Sequence, residues 1–374
     1  MITSPSPKNA AHDAAQHDHS AVQHEGKPSE RLMVGPRPLP LFLELVKMVA
    51  VRDPQTARNA LEGLRKVQGL PPLKTRPDRA ALMMSESTLL RDYGGTGPLV
   101  VFVPSLINPP TILDISESRS LLGWLATQGV HPLLVDWGPV SGAQRDMSIS
   151  DYITKVLVPL LQDLGEPAHL VGYCLGGTMA MAASQLAPVL SLALIATPWH
   201  FSKYSDASRM ALDALWATMH PTAEAMGLLP IESLQAMFWS LDPDGTVAKY
   251  ARFATMNMPQ DEIALFQAME GWANSGEPLP LAAARELFED FIAADIPGAG
   301  RWICDGRIIS PQSLSCPALD IVSTTDRIVP AITASGISNR LELDRGHVGM
   351  VTGSQAHAQL WMPLRDWLLH LHKS

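Results

Sequence analysis

A cysteine set among glycines, an aspartate and a histidine are the residues whose types and spacing best suit covalent chemistry. The run Gly172-Tyr173-Cys174-Leu175-Gly176-Gly177 follows an apolar stretch and precedes a helical pattern. That is the strand–turn–helix setting of a nucleophile elbow. Gly172 and Gly176 permit a sharp turn free of Cβ clashes, and Gly177 lets the following helix approach the sheet. The side chain at 174 is lifted clear of the strand and placed at a helix N-terminus, where the macrodipole favours a thiolate. A buried structural cysteine beside a glycine turn is the plainer alternative, and the surrounding pattern favours the nucleophile.

A thiol nucleophile needs a base, and the base needs a group that orients it. The segment Asp320-Ile321-Val322-Ser323-Thr324-Thr325-Asp326 ends a strand at Asp326. A carboxylate there belongs on the reactive rim of an open sheet. Further on, Gly346-His347-Val348-Gly349 places a histidine in a glycine-bounded loop after the last short strand. Taken alone, Asp326 reads as a turn former and His347 as a loop histidine. Nucleophile, acid and histidine in this chain order match the α/β-hydrolase fold. An oxyanion hole then needs two N–H donors: that of Leu175, and one from the loop after the first core strand, around Ser105-Leu106. His131 and His169 fall in strands and read as structural. His200, after Trp199, has only its position to recommend it for the cleft.

The elements that must hold these groups follow from pattern. The chain has 374 residues, 46% of them hydrophobic, enough for one large α/β domain carrying an insertion. Its formal net charge of -9, with no Lys/Arg cluster, excludes a basic nucleic-acid footprint. Three cysteines, Cys174, Cys304 and Cys316, with no C-x-x-C pair, argue against a disulfide scaffold and a zinc site. No secretory signal and no apolar run long enough for a transmembrane segment are read.

Residues 1–30 read as a polar disordered tail, and His12, His17, His19 and His24 within it as solvated chain rather than a metal site. Residues 31–97 read as a helical arm, with helical phase over 38–69 broken at Asp53-Pro54. From residue 98 to 374 strands alternate with helices. The expected strands are Pro98–Pro104, His131–Asp136, Ala168–Tyr173, Leu190–Ala196, Ala318–Ser323 and Arg340–Leu343. The fold class is therefore α/β: a mostly parallel sheet covered by helices, with a mostly helical cap insertion at about 199–300. Trp199, Trp216, Phe238 and Trp239 in the insertion are candidates for keeping water from the site.

Several stretches resemble the catalytic domain of the polyhydroxyalkanoate synthase family over most of residues 98–370. They are Val103-Pro104-Ser105-Leu106-Ile107-Asn108 with Ile112-Leu113-Asp114, Val135-Asp136-Trp137-Gly138, and GYCLGGT at 172–178. Asp305-Gly306-Arg307, TDRIVP with its Asp326, and Gly346-His347-Val348-Gly349-Met350 complete the set. The short N-terminal region is more similar to the two-subunit synthases. Pro109, Pro110 and Thr111 depart from the Lys and aromatic that many members carry. In the insertion Met269-Glu270-Gly271-Trp272 is the clearest echo.

This resemblance implies that Cys174, Asp326 and His347 form a catalytic triad. It implies an acyltransferase that polymerises 3-hydroxyacyl-CoA through a Cys-bound thioester and releases CoA, with neither cofactor nor metal. The implied partners are the acyl-CoA, a polyester chain or granule surface, and a homodimer mate or second synthase subunit. The implied location is the cytoplasm, with or without association to polyester granules. An esterase, thioesterase or intracellular polyester depolymerase would use the same three side chains, so that alternative stays open. A scaffolding protein with a vestigial fold would have no need to retain all three.

Overall fold

A computed structural model describes residues 35–73 and 76–372. The expectations for the tail at 1–30 and its histidines lie outside the described residues. Eight strands form the main sheet: β1 (Ala81–Ser85), β2 (Thr88–Asp92), β3 (Leu99–Val103), β4 (His131–Asp136), β5 (Ala168–Tyr173), β6 (Val189–Ile195), β7 (Ala318–Ser323) and β8 (Arg340–Leu343). Their order is β1-β2-β4-β3-β5-β6-β7-β8. From β4 to β8 all pairs are parallel, and the β1–β2 hairpin joins β4 antiparallel.

The central strands are apolar throughout because both faces are covered. Val101, Val103, Leu170, Leu192 and Leu194 point into one buried cluster, built with Met179–Ala183 and the helical stretch around 149–163. Their neighbours Val100, Phe102, Val171, Ala193 and Ile195 point into a second, with Leu121, Leu122, Leu360, Leu364 and Leu368. Period-2 alternation thus sends successive residues to opposite cores.

The hairpin corrects the expected helical arm over 31–97. Only α1 (Leu39–Arg52) and α2 (Pro54–Gln68) are helical there, and 81–92 belongs to the sheet. The sequence hides these strands because they close one side of the sheet with mixed burial and are built partly from Leu and Met, which favour helices equally well. Pairing with β4 decides the matter: Thr88 and Leu90 are buried against it, and the register slips between Ala81 and Met83.

The insertion is mostly helical. After α3 (Leu175–Leu186) and β6, the helices are α4 (Asp206–Met226), α5 (Ile231–Leu241), α6 (Pro243–Thr255) and α7 (Gln260–Ala273). It also holds something the sequence reading lacked, a two-residue antiparallel bridge pairing Leu228–Leu229 with Leu279–Pro280. A second short hairpin, Ile303–Cys304 with Arg307–Ile308, precedes β7 and places Asp305-Gly306 at its turn.

The arm packs on the cap. Phe42, Val46, Ala57, Ala60, Leu64 and Val67 share a buried cluster with Trp239, Val247, Tyr250, Phe253 and Phe266. Contact is closest at Gly63, where an added Cβ would run into the Tyr250 carbonyl. Helix α2 is capped at Asp53, whose carboxylate accepts from Gln55 N at 3.1 Å and Thr56 N at 3.0 Å. Gly63→Ala should therefore lower stability by about 1–3 kcal/mol through overpacking, despite alanine's better helix propensity. A denaturant midpoint equal to or above that of the wild type would contradict this packing.

Candidate active site

Cys174 sits in the turn between β5 and α3 with φ 56° and ψ −131°. A non-glycine residue adopts that conformation only where its surroundings enforce it. Here Cys174 N donates to Ile195 O at 2.9 Å, and Gly177 N donates to Cys174 O at 2.8 Å. The glycines permit the fit. A Cβ at 176 would strike the Val103 and Pro104 carbonyls, and one at 172 would strike the Gly177 backbone. The first turn of α3 is thus pressed on the carboxyl ends of β3 and β5, and Cys174 lines the larger cavity.

Asp326 and His347 come from the loops after β7 and β8. The carboxylate Oδ1 accepts from Ile328 N at 2.8 Å and Val329 N at 3.0 Å, while Oδ2 meets His347 Nδ1 at 2.7 Å. Both oxygens are committed, so the carboxylate cannot rotate. With Nδ1 engaged, Nε2 is the ring nitrogen left to serve Cys174, which lines the same cavity. The Asp326 side chain is fully buried and that of His347 only 9% exposed. Burial alone would pull the imidazole pKa down. The Asp326 carboxylate with its hydrogen bond, and the nearby Cys174 sulfur, outweigh it, and the pKa rises from 6.5 to about 10. The geometry and the electrostatics both favour a charged imidazolium beside the sulfur.

The loop after β3 closes the site. Trp137 Nε1 donates to Pro104 O at 3.1 Å, and Ser105 Oγ accepts from Ile107 N at 3.2 Å. These bonds pin the chain so that Ser105 and Cys174 share the wall of one cavity of about 530 Å³. Leu175, the first residue of α3, lines a smaller cavity that Cys174 also borders. Leu106 packs on the core and is not on the wall of the larger cavity. Asn108, Pro109 and Trp272 are on that wall, with Trp272 Nε1 donating to Pro109 O at 2.8 Å.

The cap supplies the opposite wall through Gln235, Phe238 and Trp239 on α5 and Lys249 and Arg252 on α6. Two ion pairs brace it. Asp242 caps α6 and meets Arg327, next to Asp326, at 2.9 Å. Lys249 Nζ meets the buried Glu270 at 2.7 Å, and Glu270 also accepts from the Tyr250 hydroxyl. Of the aromatic residues expected to exclude water, Phe238 and Trp239 line the cavity. Trp199 is instead buried beside Trp302, and Trp216 stacks on Phe288 at 4.8 Å.

Two tyrosines escaped the sequence reading. Tyr173 stacks on the His347 ring at 5.1 Å and donates to the His347 carbonyl at 3.2 Å. Tyr204 donates to Ile328 O at 2.9 Å, holding the loop whose amides grip Asp326. Tyr173 was visible as the elbow's aromatic residue, whereas nothing in the spacing marks Tyr204. The remaining histidines serve elsewhere. His131 meets Asp92 at 2.7 Å, and His169 meets Ser191 at 2.7 Å with burial lowering its pKa to about 4. His200 lies near Asp295 and Lys203 and does not line the cavity. Among the described residues no cluster of three or more His, Cys, Asp or Glu is placed to hold a metal, and no helix is long and apolar enough to cross a membrane.

The raised imidazole pKa has a pH signature. A group whose folded pKa exceeds its unfolded value stabilises the fold fully below the unfolded pKa and loses that contribution as pH climbs through the folded one. For His347 the window runs from 6.5 to about 10. The stability gap between the wild type and His347→Gln should be widest near about pH 6 and shrink toward about pH 10. Denaturant midpoints across that range would measure it, and a gap that widens with pH would reverse the assigned sign.

Comparison with known proteins extends these observations. A sequence profile described as "Alpha/beta hydrolase family" matches residues 100–360. The chain is 28% identical to the poly(3-hydroxyalkanoate) polymerase subunit PhaC of Haloferax mediterranei, over 72% of this chain and 58% of that relative. For the proteins of the same name from Haloarcula marismortui and Allochromatium vinosum the identities are 26% and 27%. Each match spans 72% of this chain, and 60% and 80% of the relatives respectively. The chain thus covers less than two thirds of the first two relatives. With an eight-stranded sheet carrying one antiparallel hairpin and a profile match over residues 100–360, this chain belongs to the α/β-hydrolase family.

Proposed function

We propose that this chain is an acyltransferase that takes 3-hydroxyacyl groups from coenzyme A onto Cys174 and passes them to a hydroxyl, extending a polyester. The observation that carries the reading is a thiol, not a hydroxyl, at the elbow turn, on the same cavity wall as an imidazole that Asp326 holds at 2.7 Å. Likeness to three chains named as polyhydroxyalkanoate polymerase subunits supports the choice of substrate.

The chemistry follows from the geometry. His347 takes the Cys174 proton, and the thiolate so formed attacks the acyl-CoA carbonyl. The Leu175 N–H and a donor from the Ser105 loop receive the developing oxyanion. The bond from carbonyl carbon to CoA sulfur breaks, His347 returns its proton to the departing sulfur, and CoA leaves as a thiol. One thioester has replaced another, so the step is nearly isoenergetic. The imidazole, now neutral, takes the proton of an incoming 3-hydroxyl as its oxygen attacks the acyl-enzyme. An ester forms, the bond to Cys174 breaks, and the thiolate–imidazolium pair is restored. Asp326 keeps Nδ1 protonated throughout and steadies the imidazolium. Phe238, Trp239 and Trp272 give apolar surface to a cavity wall that also carries Lys249 and Arg252, and that surface favours an alcohol over water.

Purified protein given 3-hydroxybutyryl-CoA should release CoA and form polymer. Cys174→Ala should cut CoA release by about 10³-fold or more. Free 3-hydroxybutyrate as the sole acyl product would favour the hydrolase alternative, and full activity without the thiol would refute covalent catalysis at 174.

A further inference from the structure

His347 stands on a loop, and its ring needs more than one hold. Nδ1 meets Asp326 at 2.7 Å, which fixes that nitrogen but leaves the ring plane free to turn about the bond. Nε2 can serve Cys174 only if the plane is fixed as well. One side chain supplies what is missing. The Tyr173 ring stacks on the imidazole with centroids 5.1 Å apart and planes 28° from parallel, and its hydroxyl donates to the His347 carbonyl at 3.2 Å. The ring and the backbone of the base are thus held by the same residue.

That residue is bonded directly to the nucleophile. Tyr173 ends β5, and Cys174 follows it in the turn with φ 56°. Tyr173 is 3% exposed and shares a buried cluster with Val171, Met350 and Val351. The base is therefore tied to the same rigid strand end as the sulfur. Burial, with Cys174 and Asp326 nearby, pushes the Tyr173 pKa well above its usual 10, so the hydroxyl stays a donor at any working pH.

The face of an aromatic ring is its negative part, and it attracts a cation within about 6 Å of the ring centre. The imidazole becomes such a cation when it takes the Cys174 proton. Asp326 meets the edge of the imidazole, Tyr173 covers a face, and Cys174 borders the same cavity. Of the charges farther along the wall, Arg327 is paired with Asp242 and Lys249 with Glu270, while Arg252 is exposed to solvent. We propose that Tyr173 is a positioning residue for the base: its hydroxyl fixes the backbone of His347, and its ring face orients the imidazole and favours the charged form over the neutral one. The assignment rests on His347 acting as the base for Cys174.

The test compares three replacements in the full-length chain. Tyr173→Phe keeps the ring face and loses the hydroxyl. Tyr173→Leu keeps the site apolar and loses the face. Pentafluorophenylalanine introduced at position 173 keeps the ring's shape and inverts the charge on its face. Titration of the His347 ring is followed by NMR of ¹³C-labelled histidine, with His347→Gln identifying the signal. The midpoint should stay within about 0.3 pH unit of the wild type in the Phe variant, fall by about one pH unit in the Leu variant, and fall further with the fluorinated ring. The alkaline limb of kcat/KM for CoA release from 3-hydroxybutyryl-CoA should move in the same order. In the Phe variant kcat/KM should drop about threefold to tenfold at every pH, through the lost bond to the carbonyl. A ring that only packs would leave the midpoint where it was in all three. Midpoints that agree between Phe and the fluorinated ring, both of which preserve the packing, would overturn the proposal even if the Leu variant fails to fold. So would a Phe midpoint as low as that of Leu. A wild-type chain that releases no thiol would overturn the acyltransferase reading, while the NMR midpoints would still decide for or against Tyr173.

Discussion

The turn at Cys174 is the constraint on which the site depends. A residue with a side chain is held in a backbone conformation that normally demands glycine, and neighbours on three sides hold it there. Ile195 accepts its amide, the helix behind it accepts no side chain at 176, and the strand before it tolerates none at 172. The local strain is offset by the close packing of α3 on the sheet, where Met179 to Ala183 are fully buried. The thiol is thereby fixed before any substrate arrives, and catalytic positioning becomes a property of the core.

The acid and the base are fixed differently. They stand on loops, and their positions come from hydrogen bonds. Two backbone amides grip one oxygen of Asp326, the histidine takes the other, and Tyr173 covers the ring. Burying such a pair would be costly if either partner were left without the other, and the carboxylate beside it is what raises the His347 pKa against its own burial. The cap reaches the same loop through Asp242 and Arg327, so the wall of the cavity and the carboxylate share a support.

How far this was legible in the residues depended on whether the signal was local. The elbow, the central strands and the order of the three catalytic candidates could be read because each depends on short-range pattern: glycine spacing, continuous apolar runs, chain order. The β1–β2 hairpin could not, since Leu and Met at a half-exposed edge carry no decisive period and only pairing with β4 makes them strands. The roles of Tyr204 and Trp137 were also out of reach. Each acts by donating to a backbone carbonyl far away in sequence, Ile328 and Pro104 respectively, and no periodicity encodes such a bond. Trp199 and Trp216 show the converse: aromatic residues in the insertion invited a role at the site, and packing placed them elsewhere.

The slipped register near Ala81 bears on solubility. β1 is the outer strand on its side of the sheet, and Leu82 and Met84 on it are 51% and 72% exposed. A flat apolar border of that kind invites strand-by-strand addition of further copies. The irregularity between Ala81 and Met83 interrupts the ladder within a five-residue strand. It twists the border and leaves too short a regular stretch for another chain to zip onto. What looks like a flaw in the hairpin therefore shortens the regular backbone that β1 offers to another strand.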